Sequence, residues 1–209
     1  MRGEGAVDPS GVDALYLDDF IEDAARCRER GGGLTEFLRL GKVVRLRWPA
    51  DVVEQWLYDH AGNGPFLDDY GRVDLARIGW QLEAISRDVL MELPTGRSDA
   101  DAIERFAKEP QHWVDVRRHG VHTGVAEMWE VHGTWKRWPL VLDRALLGPV
   151  EQGLQLVEGR TRVGIMRGRH RQGSFVADRH LVWVGRPELD APIEDNIEER
   201  GCAPPHHRL

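Results

Sequence analysis

Cysteine is nearly absent from this chain: Cys27 and Cys202 are the two among 209 residues. That is too few for a disulfide framework, and their placement has no metal-ligand spacing. Long apolar runs are missing too; none approaches the roughly 20 residues that cross a bilayer. Met1 to Gly11 holds no apolar segment of the signal-peptide kind and reads as a flexible leader. A cytoplasmic protein with reduced thiols and no membrane partner is expected. An excess of positive charge is likewise lacking, since 28 basic residues face 35 acidic ones for a net charge of −7. The stretch from Pro187 onward holds six of the acids against Arg200 and Arg208, so it carries −4 and the body −3. Phosphate neutralisation needs a positive face, so this balance disfavours nucleic acid as a partner and leaves room only for a local basic patch. No Walker loop, nucleophile elbow or dinucleotide fingerprint occurs, and Ser/His/Asp catalysis has no support.

What the chain does have is enough apolar material for a core, 41% of residues, and eight tryptophans. A tryptophan buries a large area, so core and inter-element packing is the expected role for most of the eight. One or two could stack on a base or sugar. In the first half, helical spacing of Leu17, Phe20, Ile21, Ala24 and Cys27 predicts a helix from Val12 to Arg30, ended by Gly31-Gly32-Gly33. Imperfect alternation over Lys42 to Arg47 suggests a short strand, Asp51 to His60 a helix, and Ala61 to Gly71 a loop. The strongest periodicity is Leu75, Ile78, Leu82, Ile85 and Val89, which predicts a helix over 74–93 closed by Pro94. Ser98 or Asp99 is expected to cap a further helix to Lys108, ended by Pro110.

The second half reads as strands alternating with one helix. Leu140 to Leu142, Leu154 to Val157 and His180 to Val184 are expected strands, the last so continuously apolar that both faces should be covered. Arg160 to Arg169 suits a helix. The chain beyond 186 is acidic and proline-bearing and is expected to be a disordered tail.

One segment carries chemistry. Glu158-Gly159-Arg160-Thr161-Arg162 lies between a predicted strand and a predicted helix. The first amides of a helix lack intrahelical partners and sit at the positive end of its dipole. A glycine lets an anion approach the backbone, and Arg160 and Arg162 could add charge-assisted bonds to phosphate oxygens. Thr161 could cap the helix or bond the same anion, and the whole forms an anion cradle. Glu130 and His132, within the Trp-rich stretch 129–135, and Asp143, after the first strand, are further candidates for acid–base work. His119, His122, Glu127 and His132 could be imagined as zinc ligands, but their spacing fits no zinc motif, and no metal site is expected.

The turn Leu156 to Arg162, followed by Val163-Gly164-Ile165-Met166-Arg167-Gly168, resembles the hallmark turn of the ParB/sulfiredoxin-like superfamily. Trp138-Pro139-Leu140-Val141-Leu142-Asp143 looks like that superfamily's proline-led strand, and His180 to Val184 like its closing strand. The resemblance covers about 134–186. It implies an α+β protein: a mainly helical region, 12–125, packed with a small mixed-sheet module, 126–186. It also implies a nucleotide, ATP or CTP with Mg²⁺, held at this turn, with Gly159 and Arg162 at the phosphate-contacting positions and Glu158 at the acidic one. Two departures stand out. Arg160 occupies the place where members often carry histidine, and no cysteine lies near the turn, which argues against sulfinic-acid reduction. The leading expectation is therefore binding of a nucleotide or small phosphoester, with phosphotransfer or phosphoester hydrolysis through Glu158 to Arg162. A ParB-like nuclease or phosphodiesterase is one alternative. A non-catalytic regulatory or interaction protein, its protein partner unidentified, is the other.

Overall fold

The computed structural model describes residues 13–116, 122–148 and 150–188. The expected leader, His119 and the expected tail from residue 189 on lie outside the described residues. Pro187, read as the start of that tail, ends a strand, and the Glu188 amide donates to the Arg77 carbonyl at 2.8 Å. The first half opens with a single 3-10 turn, Leu17–Phe20, and α1, Ile21–Glu29. Leu17, Phe20, Ala24 and Cys27 are buried as their spacing predicts, and Gly31, at φ +73°, follows the helix end. Short helices follow: α2 Gly33–Phe37, α3 Gly41–Leu46, α4 Ala50–Val53 and α5 Gly64–Tyr70. Two expectations change here. Lys42 to Arg47 is helical rather than extended, since Val43 and Leu46, three apart, reach the core while Val44 and Arg45 face out. The segment read as a loop contains α5: Asn63 accepts a bond from the Phe66 amide at 3.1 Å, and Pro65 sits in the first turn.

The largest departure is at 74–93. Residues Leu75–Arg77 form a 3-10 turn, Ile78–Ser86 form strand β1, and Arg87–Glu92 form α6. Asp74 caps the turn and Ser86 caps α6, so two capping residues divide what periodicity alone would make continuous. After the turn Arg97–Asp99 come α7, Ala102–Lys108, and α8, Pro110–Asp115. Asp101, not Ser98 or Asp99, stands at the start of α7, and Pro110 begins a helix as well as ending one. Then follow α9, Val125–His132, strand β2, Leu140–Asp143, strand β3, Leu154–Glu158, helix α10, Arg160–Arg171, and strand β4, Arg179–Pro187.

The four strands make one mixed sheet in the order β1-β4-β2-β3. β1 runs antiparallel to β4 from Ile78↔Pro187 to Ser86↔Arg179, β4 is parallel to β2, and β2 is antiparallel to β3. Successive strand residues point to opposite faces, and both faces are covered. Leu140, Leu142 and Val157 enter a core with Phe20, Phe37, Val52, Trp56 and Tyr70. Val141, Leu156, Val182 and Val184 enter a second core with Leu90, Ile103, Trp129 and Ile165. That double burial is why the second-half strands read as nearly unbroken apolar runs. The architecture is α+β. Packing is what the tryptophans do: Trp48, Trp56, Trp129 and Trp135 are buried, and the Trp48, Trp56 and Trp80 rings meet edge to face or tilted at 5.5 to 5.6 Å. Among the described residues, no helix is long and apolar enough to cross a membrane.

Candidate functional site

The chain passes from β3 into α10 through one residue, Gly159, at φ +105°. Only glycine adopts that angle without strain. A Cβ there would also lie 2.7 Å from Pro139 Cβ, so this glycine is demanded by the junction itself. Having no side chain, Gly159 cannot cap the helix it begins. The start of α10 opens on a cavity of about 520 Å³, and Glu158, Gly159, Arg160, Thr161 and Arg162 all line it. The five turn residues expected from the sequence are therefore brought to one concave surface.

Within that surface the two arginines differ. Arg162 Nη1 donates to the Arg137 carbonyl at 3.0 Å, and Nη2 donates to Gln55 Oε1 at 2.7 Å and Glu158 Oε1 at 3.0 Å. Gln55 is buried and is itself fixed by donation to Asp51 Oδ2 at 3.0 Å and the Trp138 carbonyl at 3.1 Å. Arg162 thus ties the junction to residues Glu54–Tyr58 and to the irregular stretch leading into β2. Its outer nitrogens are committed before any ligand arrives. Arg160 is held more lightly. Its Nε donates to Thr95 Oγ1 at 3.1 Å and Nη1 lies 3.3 Å from Asp99 Oδ2. Its Nη2 is buried with no hydrogen-bond partner, and the side chain is only 10% exposed. A buried guanidinium nitrogen without an acceptor is costly, and the same side chain also borders the cavity.

Glu158 also has a defined state. Burial pushes its carboxyl up, but the neighbouring His60, the Arg162 charge and the Gly159 amide outweigh that and hold it at about 2. It is a permanent anion, unsuited to carrying a proton at neutral pH. His60 Nε2 lies 3.7 Å from Glu158 Oε2, and the imidazole stacks on Phe66 with ring centres 4.7 Å apart. His60 reaches the cavity because residues Glu54–Tyr58 form a π-type wide turn, and Glu54, Asp59 and His60 all line the pocket. Such turns recur at functional sites. Burial pushes the carboxyls of both Glu54 and Asp59 up.

The other expected residues lie elsewhere. Asp143 pairs with Leu154 at the opposite end of the β2/β3 ladder from Leu140↔Glu158, and it caps a turn by accepting the Ala145 amide at 3.0 Å. Glu130 is exposed on α9 and pairs with Arg169 at 3.1 Å; His132 ends the same helix. None of the three lines the cavity. His122 does line it, but among the described residues no group of three or more His, Cys, Asp or Glu could hold a metal. Sequence reasoning missed His60, Asp59, Arg105, Lys136 and Arg137. The available signals were weak: Asp59-His60 stands just before the Gly/Asn/Pro turn, and Lys136-Arg137 just before the proline-led strand.

A phosphate group fits this lining, because the Arg160 side chain and the first turn of α10 border the same space. For a resident Mg²⁺ the lining offers one carboxylate outside an ion pair, Asp59, which is too few to hold it. Glu158 is held by Arg162 and His60, Asp99 by Arg160, and Glu54 by Arg137. No protein family, curated protein or solved structure matches this chain.

Proposed function

We propose that the protein binds a phosphate-bearing small molecule, a nucleotide or another phosphoester, in the cavity at the start of α10. The observation that carries this reading is Arg160: a buried side chain on the cavity wall with one guanidinium nitrogen lacking an acceptor. The likeness of the turn to that of the ParB/sulfiredoxin-like superfamily supports the same reading. Phosphate oxygens would lie against Arg160 and the first turn of α10, where the helix dipole favours negative charge. Arg105 and Lys136, exposed residues on the cavity lining, would attract the anion. Turnover would be phosphoester hydrolysis or phosphotransfer, with His60 the imidazole placed to give a proton to a leaving oxygen. Glu158 would hold that ring and Arg162 in position.

Isothermal calorimetry tests this with inorganic phosphate, phenyl phosphate, ADP, ATP, CTP and GTP. Wild type should give heat with at least one of them. Arg160→Ala should weaken the binding at least about tenfold, the loss of one charge-assisted contact, while the melting temperature moves by only a few degrees. Absence of heat from every compound, or an Arg160→Ala variant that binds as well as wild type, overturns the proposal.

A further inference from the structure

The charges around the cavity limit how much negative charge its ligand can bring, given the phosphate reading above, on which this inference rests. Among the described residues that line it, five are cations: Arg105, Lys136, Arg137, Arg160 and Arg162. Four are carboxylates: Glu54, Asp59, Asp99 and Glu158. Three of these carboxylates are already paired, Glu158 with Arg162 at 3.0 Å, Asp99 with Arg160 at 3.3 Å, and Glu54 with Arg137. That leaves Arg105, Lys136 and Asp59 as the lining charges outside these three pairs. Burial pushes the Asp59 carboxyl up, against the pull of His60 and Arg137. With histidines counted as neutral, the lining carries a surplus of one positive charge.

A phosphomonoester carries about −1.5 to −2 at neutral pH, which exceeds that surplus by no more than about one charge. Each further phosphoryl group adds negative charge that would meet carboxylates rather than free cations, and poorly solvated charge without a partner is expensive. The rest of the wall has the opposite character. Phe106, Val125, Trp129, Trp135 and Ile165 line it, an apolar surface suited to a ligand's body rather than its charge.

We infer that the ligand is a phosphomonoester with an apolar, ring-sized body, and that the cavity selects it over polyphosphates. Calorimetry on the full chain with phenyl phosphate, inorganic phosphate and ATP, the last with and without Mg²⁺, tests this. Phenyl phosphate should bind more tightly than inorganic phosphate, and ATP at least about tenfold more weakly than phenyl phosphate. Asp59→Asn removes one opposing carboxylate and should narrow the gap between ATP and phenyl phosphate. ATP binding as tightly as phenyl phosphate, in either metal condition, overturns this inference and leaves the phosphate reading intact. An unchanged gap in Asp59→Asn also overturns it. Heat from none of the three ligands overturns both.

Discussion

Replacing Arg162 by alanine would leave Glu158 without its guanidinium partner, Gln55 Oε1 without a donor and the Arg137 carbonyl uncapped. Breaking a largely buried ion pair from one side costs about 3 kcal/mol. Arg162→Ala should therefore lower the melting temperature by several degrees, whereas Arg160→Ala, whose removed group has weaker partners, should change it less. Differential scanning calorimetry on the two variants checks the contrast, and equal melting temperatures would refute it. A second residue-scale outcome concerns acid. His180, buried beneath Trp135 and bonded through Nδ1 to Thr134 Oγ1 at 2.7 Å, is pushed down by burial to about 4 from 6.5. The unfolded chain binds a proton there first, so this contribution to stability is present above pH 6.5 and lost as pH falls toward 4. The shift corresponds to about 3 kcal/mol. Glu158 adds a second loss between its ordinary 4.5 and about 2. The raised carboxyls of Glu54 and Asp59 act in the opposite sense, so the comparison must be with a variant. His180→Asn keeps an acceptor or donor for Thr134 and removes the titration. Its stability should be flatter than that of wild type between pH 6.5 and 4, measured by denaturant unfolding; parallel profiles would contradict the assignment.

At the scale of elements, α10 is held against α7 by two glycines one turn apart. A Cβ on Gly164 would lie 2.8 Å from the Ile103 carbonyl oxygen and against Phe106 Cβ; one on Gly168 would lie 2.9 Å from Pro110 Cγ. Backbone atoms cannot yield as a flexible side chain can, so Gly164→Ala should destabilise by about 1–3 kcal/mol even though alanine is the better helix former. Chemical denaturation measures it, and a stabilised variant would show that the helices are not in close contact. α10 was legible from sequence, as were β2, β3 and β4, because their signals are local: apolar runs covered on both faces, then a glycine, then helical spacing. β1 was not. Leu75, Ile78, Leu82, Ile85 and Val89 keep a helical interval. Yet Leu75 belongs to the turn before the strand, Val89 to the helix after it, and Ser86 breaks the run as a cap. What decides the conformation is the open edge of β4, whose backbone groups need the nine-residue ladder that β1 supplies. A distant demand of that kind leaves no mark in the spacing of side chains.

Across the whole molecule, the cavity is assembled from distant stretches of chain: the wide turn at Glu54–Tyr58, α7, α9, the stretch before β2, and the β3–α10 junction. The sequence showed the junction, because a strand, a glycine and a helix start are contiguous. It could not show His60 or Arg105, which reach the same space only through packing on the sheet. It offered both Arg160 and Arg162 for phosphate, with Arg162 at the position the resemblance marks, and folding separates them by giving Arg162 a buried glutamine and a carbonyl to hold. Glu130, His132 and Asp143 were drawn in by nearness in sequence to the strands, and the register of β2 against β3 places Asp143 at the far end. The most direct measurement is a crystal structure of the protein with phenyl phosphate. The account predicts the phosphate within hydrogen-bond distance of the Arg160 guanidinium at the start of α10, with the ring against Phe106 and Ile165. A phosphate bound elsewhere, or a cavity left without ligand density at saturating concentration, would contradict it.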